Sequence, residues 1–190
     1  MILFTGCGRS GTKYVADLMT LLGLDIKHEK IGKDGLASFF FAVDADRVPY
    51  GPIPNVWRDK IHLTLHQVRH PLKVIASSQT FRFSWDFIIA HSPCKKGDPM
   101  LLNCAKYWYY WNLEAEKRSS WTWQIENIVF EFDELCKRVG VKPNDEALDS
   151  LPRNVNTREH GDVGWEEIES LDKDLCNKIK DLAMRYGYLK

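Results

Sequence analysis

Apolar residues fall along this chain in two patterns: short unbroken runs, and stripes that recur every three or four residues. Ile2, Leu3 and Phe4 form one run, and Leu63, Leu65 and Val68, interleaved with Thr64, His66 and Gln67, mark a looser one that Arg69, His70 and Pro71 close. Both read as strands. Tyr14, Val15, Leu18, Met19 and Leu22 make a helical stripe with Gly23 placed to end it. Leu72 to Gln79 reads as a helix with Pro71 near its first position, where proline is tolerated. A longer helix opens with Asp98 as cap and Pro99 at its first position, and Leu101, Ala105, Trp108, Tyr109 and Leu113 share one of its faces. Leu24 to Ile26 is a possible short strand. Ile125 to Phe132 holds a strand around Ile128 to Phe130, and Phe132, Leu135, Cys136 and Val139 then suggest a short helix stopped by Gly140. A last helix carries Leu171, Leu175, Ile179, Leu182 and Tyr186, with Gly187 at its end.

Strands near 2–6, 62–68 and 126–131, separated by helices, imply a parallel sheet covered on both faces. The fold class is α/β: a three-layer, P-loop-type arrangement with a central, mostly parallel sheet flanked by helices. A chain of 190 residues suits one domain spanning 1–190, and no linker or repeat interrupts it. Ala42 to Asp59 and Phe81 to Gly97 are poor in helical signals. Long loops in compact domains are usually functional, so these are candidates for an acceptor-binding lid. Trp108, Trp111, Trp121 and Trp123 read as core residues, with an acceptor pocket as the alternative for some of them.

Charge narrows the choice of partners. Lys plus Arg and Asp plus Glu are balanced at 26 each, so no overall positive field attracts nucleic acid or an anionic membrane. Any anion site must be a local concentration of charge. No apolar run approaches the roughly 20 residues of a membrane span, and no charged segment precedes an apolar one at the start, where the first strand begins at residue 2. A cytoplasmic location is expected. The five cysteines are scattered, odd in number and lack a Cys-x-x-Cys pair, which argues against a disulfide framework and a zinc site. Cys7 reads as a passive small residue, the alternative being a thiol activated by a helix terminus. His66 and His70 are four apart but have no glutamate between them and lie on strand and turn, so a metal site is not expected there.

The local charge lies in Phe4 to Lys13, a glycine-rich loop between the first strand and the first helix. Gly6, Gly8 and Gly11 let the backbone turn sharply and approach an anion, while the open amides of the first helical turn favour negative charge. A Walker A loop needs Gly-Lys-Ser/Thr after a four-residue spacer. Gly6 and Gly11 have that spacing, but Thr12 and Lys13 follow in the wrong order, and the cation inside the loop is Arg9. Arg9, Ser10, Gly11 and Thr12 resemble the 5′-phosphosulfate loop of the sulfotransferases, which use 3′-phosphoadenosine-5′-phosphosulfate (PAPS). Arg69 stands at the carboxyl end of a strand, where open α/β sheets bind ligands, and a guanidinium there grips phosphate with two parallel hydrogen bonds. Ser77, eight residues on, offers a hydroxyl. This pair resembles the family's 3′-phosphate site.

The resemblance implies a transfer of sulfuryl from PAPS to a hydroxyl or amine of an unidentified small-molecule or glycan acceptor. It assigns the donor to Gly8, Arg9, Ser10, Gly11, Thr12 and Lys13 at the 5′ end and to Arg69 and Ser77 at the 3′ end. It also gives Arg9 the task of stabilising the departing group, with Lys13 as a supplement. Tyr14 occupies the position where cytosolic members place a tryptophan near adenine, although its place in the helical stripe suits packing equally. Arg158 and His160, in the turn-rich stretch before Trp165, resemble in location the late loop that closes over the nucleotide. The family's base is a histidine or a glutamate, and here both types adjoin: Glu29 is favoured, His28 second. Adjacent residues of an extended segment point oppositely, so one of them should face the donor. Lys33 and Asp34 are candidate supports of that loop. No magnesium is expected, because a sulfuryl group carries less charge than a phosphoryl group and no apolar strand ends in a Walker B aspartate. The alternatives are a P-loop small-molecule kinase and a non-catalytic nucleotide-binding module.

Overall fold

The computed structural model describes residues 1–48, the backbone of 51–52, and residues 58–81, 84–152 and 160–190. In chain order the elements are β1 (Ile2–Thr5), α1 (Thr12–Leu21), β2 (Ile26–His28), β3 (Gly35–Ala37), β4 (Arg47–Val48), β5 (Gly51–Pro52), β6 (Leu63–Val68), α2 (Pro71–Ser78), α3 (Trp85–Ala90), α4 (Met100–Arg118), β7 (Trp121–Gln124), α5 (Ile128–Val139), α6 (Asp145–Ser150), α7 (Trp165–Leu171) and α8 (Lys173–Arg185). Short 3-10 turns cover Phe39–Ala42 and Ile125–Asn127.

Five strands form one parallel sheet in the order β2-β3-β1-β6-β7, and β4 and β5 make a separate antiparallel pair. Phe4 of β1 lies in register between Ala37 of β3 and Leu65 of β6. The apolar run of β1 serves two cores because successive side chains leave opposite faces. Ile2 and Phe4 join Val15, Leu18, Met19 and Phe132, while Leu3 joins Ile75, Trp108, Trp111 and Ile179. Since all five strands point one way, their carboxyl ends share one edge. From β1 the chain crosses through α1 to β2 on one side, and β6 and β7 lie on the other. The winding therefore reverses between β1 and β6, which opens a crevice at their carboxyl ends.

Several elements differ from the sequence expectation. Residues 126–131 are not a strand: β7 is Trp121–Gln124, and Ile128 opens α5. The β-branched and aromatic residues there favour a strand locally, but Ile128, Phe132, Leu135, Cys136 and Val139 lie on one helical face and are buried, leaving Phe130 88% exposed. Tertiary packing overrides local preference at this position. The short strand falls at Ile26–His28 and not at Leu24 to Ile26, because the Leu24 amide still caps α1 by bonding the Met19 carbonyl at 2.9 Å. Pro99 is the cap of α4 and precedes its first residue, and the helix buries Cys104, Ala105, Trp108, Trp111, Asn112 and Ala115. Leu101, Tyr109 and Leu113 lie at the margin of that core. The last helix is two helices broken at Asp172, whose carboxylate caps the second by accepting from the Leu175 amide.

Of the two lid candidates, the first contributes Ala42, Val43, Ala45 and Val48 to the core, and the second contains α3 with Ile88 buried. Residues 49–50, 53–57 and 82–83 lie outside the described residues. Trp108, Trp111 and Trp123 are buried; Trp121 is half-buried, stacked on Trp123 and covered by Arg138. Among the described residues no helix is long and apolar enough to cross a membrane.

Candidate functional site

The loop from Gly6 to Gly11 leaves β1 at the crevice and is fixed from two sides. Gly6 has φ +152°, and a Cβ there would stand 2.2 Å from the Gln67 carbonyl oxygen of β6. Gly8 is as confined: a Cβ would meet the Tyr107 hydroxyl of α4 at 2.7 Å. The Cys7 amide donates to Asn112 Oδ1 at 3.3 Å, the Gly8 amide to Tyr107 Oη at 2.7 Å, and Gln67 Nε2 donates to the Ser10 carbonyl at 2.9 Å. His66 holds the same Asn112 oxygen at 3.1 Å through Nε2 and has Thr122 at Nδ1; burial pushes its imidazole down to about 4, so it stays neutral. Gly11 caps α1 with φ +89° and no side chain caps the helix. Its first-turn amides thus lack intrahelical partners and carry the positive end of the dipole. Ser10 Oγ is buried with no hydrogen-bond partner among the described residues. An uncapped helix start, a close-approach glycine and an orphaned buried hydroxyl suit a small tetrahedral anion.

Arg69 and Ser77 come to this same loop. Arg9, in the left-handed region at φ +72°, donates from Nε to Ser77 Oγ at 2.8 Å. Arg69 donates from Nη1 to the Arg9 carbonyl at 3.1 Å. The two cationic segments therefore meet across the β1–β6 crevice, with the Arg9 guanidinium 5.9 Å from the centre of the Phe81 ring. Lys13 does not turn toward the loop's cation cluster: its Nζ is 2.6 Å from both carboxylate oxygens of Asp17, one turn along α1.

His28 and Glu29 stand at the carboxyl end of β2, and their side chains lie beside each other. The expectation that they point oppositely fails because Glu29 is not extended; its φ is +54°. That left-handed step brings Glu29 Oε1 within 3.7 Å of His28 Nε2, which is itself 3.2 Å from Thr12 Oγ1. Ser38, just past β3, donates its hydroxyl to Glu29 Oε2 at 2.5 Å. Burial raises the Glu29 carboxyl to about 7, against hydrogen bonds from Ser38 and the Phe39 backbone that lower it. Burial also lowers the His28 imidazole, helped by the charge of Lys13. Among the described residues, Arg9 and Glu29 are the non-glycine residues in the left-handed region, both beside the carboxyl edge of the sheet, a conformation that costs backbone energy and clusters at functional sites.

Other candidates fall elsewhere. Asp34 accepts from the Asp25 amide at 2.8 Å, and the Lys33 amide donates to Asp25 at 2.7 Å. Both contacts brace the β2–β3 connection at the amino edge, opposite Glu29. Tyr14 is buried in the core beneath the loop. Arg158 lies outside the described residues, and His160 is exposed with Nδ1 3.1 Å from the Gly161 carbonyl. Cys7 is fully buried, and burial pushes its thiol well above the usual range, which argues against an activated thiol. The sequence reading missed Tyr107, Asn112, Gln67 and Ser38. Gln67 did carry a signal, as a polar residue next to the carboxyl end of a predicted strand.

No family model and no curated protein matches the sequence. Among solved structures, the fold is similar to a sulfotransferase domain from the curacin biosynthetic pathway, with a TM-score of 0.57 and 11% identity over 100% of this chain and 98% of that one. At that identity the likeness is one of fold, and it agrees with the α/β class read from the sequence.

Proposed function

We propose that this chain is a sulfotransferase that takes PAPS as donor and moves its sulfuryl group to a hydroxyl or amine of an acceptor. The observation that carries the reading is the meeting of Arg9, Ser77 and Arg69 at one crevice, Nε to Oγ at 2.8 Å and Nη1 to carbonyl at 3.1 Å. One loop and one strand end thereby present two guanidiniums to a single nucleotide. The donor, when bound, supplies an activated sulfuryl group on a 5′-phosphate that leaves.

Gly11, Thr12 and Lys13 present first-turn amides to the 5′ end, and Ser10 adds a hydroxyl. Arg69 holds the 3′-phosphate. Arg9 neutralises the charge that gathers on the departing phosphate oxygen as the bond to sulfur breaks. Glu29 takes the acceptor proton while the acceptor oxygen or nitrogen forms the new bond. A carboxyl at about 7 is poised for this work at neutral pH, and Ser38 fixes its orientation. His28, between Thr12 and Glu29, holds the base against the loop.

The loop also argues against a triphosphate. Amides aimed at protein acceptors cannot cradle an anion, and those of Cys7 and Gly8 point into α4. Lys13 is tied to Asp17, so the lysine nearest to the Walker position is paired within its own helix. Thermal unfolding of the purified chain tests the proposal. Adenosine 3′,5′-bisphosphate without metal should raise Tm, and magnesium ATP should not. Stabilisation by magnesium ATP alone overturns the reading in favour of a kinase.

A further inference from the structure

The peptide unit joining Arg69 to His70 is pinned at both ends. Its carbonyl accepts from Trp108 Nε1 of α4 at 3.3 Å, and its amide donates to Glu126 Oε1 at 3.0 Å. The second oxygen of Glu126 accepts from the Tyr188 hydroxyl at 2.7 Å. Tyr188 lies just past α8, after a turn at Gly187 with φ +80°, and its ring meets His70 edge-on at 5.5 Å. Burial raises the Tyr188 hydroxyl above its usual range, so it remains a donor. Glu126 therefore ties together three segments that are remote in sequence: the turn after β7, the β6–α2 turn and the end of α8. Its neighbour Ile125 touches the other cradle, since a Cβ on Gly11 would stand 3.0 Å from Ile125 Cγ1.

We infer that Glu126 is a positioning residue that sets the aim of Arg69 and thereby the preference of the site for a nucleotide carrying a 3′-phosphate. A peptide plane held at both its N–H and its C=O fixes the direction in which the Arg69 side chain leaves the backbone. Small displacements of a clamp weaken binding steeply, because guanidinium and phosphate pair through directional hydrogen bonds. Glu126 does this without touching the nucleotide. Each oxygen of its carboxylate accepts from a protein donor, the His70 amide and the Tyr188 hydroxyl, so it acts on the aim of Arg69 through the backbone. The inference rests on the PAPS reading for the identity of the anion at Arg69.

Isothermal titration of the full chain with adenosine 3′,5′-bisphosphate and with adenosine 5′-monophosphate provides the test. The unmodified protein should prefer the bisphosphate. Glu126→Ala should lower that preference about tenfold through weaker bisphosphate binding, with the monophosphate affinity within about twofold. Glu126→Gln should keep most of the preference, since an amide can accept from the His70 amide and donate to the Tyr188 oxygen. On an Arg69→Ala background, Glu126→Ala should have no further effect. An unchanged preference, an equal loss for both nucleotides, or additive losses with Arg69→Ala each overturn the inference. Where Glu126→Ala does not fold, Tyr188→Phe removes only the contact to Oε2 and should lower the preference about threefold; an unchanged value in that variant also overturns it. An unmodified protein that does not discriminate between the nucleotides overturns the PAPS reading itself, and the inference with it.

Discussion

Arg9 and Ser77 stand 68 positions apart in the chain and are joined by a 2.8 Å hydrogen bond from the guanidinium Nε to the hydroxyl oxygen. Ser77 is buried near the end of α2, while Arg9 sits in a strained left-handed conformation at the tip of the β1–α1 loop. The bond holds one nitrogen of a long, flexible side chain at the mouth of the crevice. Aim at this position is therefore built into the fold, where side-chain entropy would otherwise scatter the guanidinium.

That arrangement separates two substitutions. Ser77→Ala leaves Arg9 in place but less fixed, and should lower kcat/KM for PAPS about tenfold, as expected for one charge-assisted hydrogen bond. Arg9→Ala removes the charge opposite the leaving oxygen and should lower transfer about a thousandfold, with affinity for adenosine 3′,5′-bisphosphate changed less than tenfold. Steady-state kinetics beside calorimetry reads both. Equal losses in transfer and binding for Arg9→Ala would show that it only holds the nucleotide.

Glu29 links activity to stability through pH. Its carboxyl is raised by burial from 4.5 to about 7 in the folded chain. Below 4.5 both folded and unfolded forms carry the proton, and no penalty exists. Between 4.5 and 7 the unfolded chain ionises first, so stability falls as pH rises, and above 7 the loss is complete. At 1.36 kcal/mol per pH unit it amounts to about 3 kcal/mol. Glu29→Gln should therefore be more stable than the unmodified chain by up to about 3 kcal/mol at pH 8 and nearly equal to it near pH 4.5. The same variant should transfer no sulfate, while the rate of the unmodified chain rises with pH through about 7. Urea unfolding across this range decides the matter; curves that stay parallel for the two proteins would sink the assignment.

The parts of the site that could be read from sequence are those in which chemistry and local geometry coincide. Arg9 and Arg69 each lie beside a strand-to-helix junction, and the glycines and proline that mark such junctions act through their immediate neighbours; Ser77, near the end of α2, was legible only through its spacing from Arg69. Tyr107 and Asn112 were opaque for the opposite reason. Their bonds to Gly8 and Cys7 span 99 and 105 positions, and nothing in α4 distinguishes those side chains from the aromatic and polar residues around them. Glu29 was legible as a candidate, but its partnership with His28 was not, because that depends on a positive φ at a residue that seldom adopts one. In the fold, the two apolar strands and the stripe of α1 stood out, whereas Asp172 between α7 and α8 was hidden inside a stripe that runs unbroken across it.

The cysteines give a chemical measure of how closed the core is. All five are buried and unbridged, and burial raises the thiols of Cys7, Cys94, Cys104, Cys136 and Cys176, that of Cys136 to about 11. A thiol must ionise and be reached before it reacts. At pH 8 the native protein should therefore consume almost no Ellman's reagent over several minutes, and the urea-unfolded protein should consume five equivalents. Rapid native reaction of Cys7, located by peptide mapping, would restore an activated thiol in the loop.

Phe130 and Phe132 decide between helix and strand at the segment where sequence and structure part. In a strand over 126–131, alternate residues share a face, so Ile128 and Phe130 would be buried or exposed together. In α5, Ile128 and Phe132 lie four residues apart on the inner face, and Phe130 points away: Phe132 is 2% exposed and Phe130 is 88% exposed. Phe132→Ala should cost about 3 to 5 kcal/mol by leaving a cavity against Leu135 and its neighbours. Phe130→Ala should change stability by no more than about 0.5 kcal/mol, since it removes almost no buried surface. Chemical denaturation of the two variants measures the difference. Comparable losses in both would place Phe130 in the core and return the segment to an extended conformation.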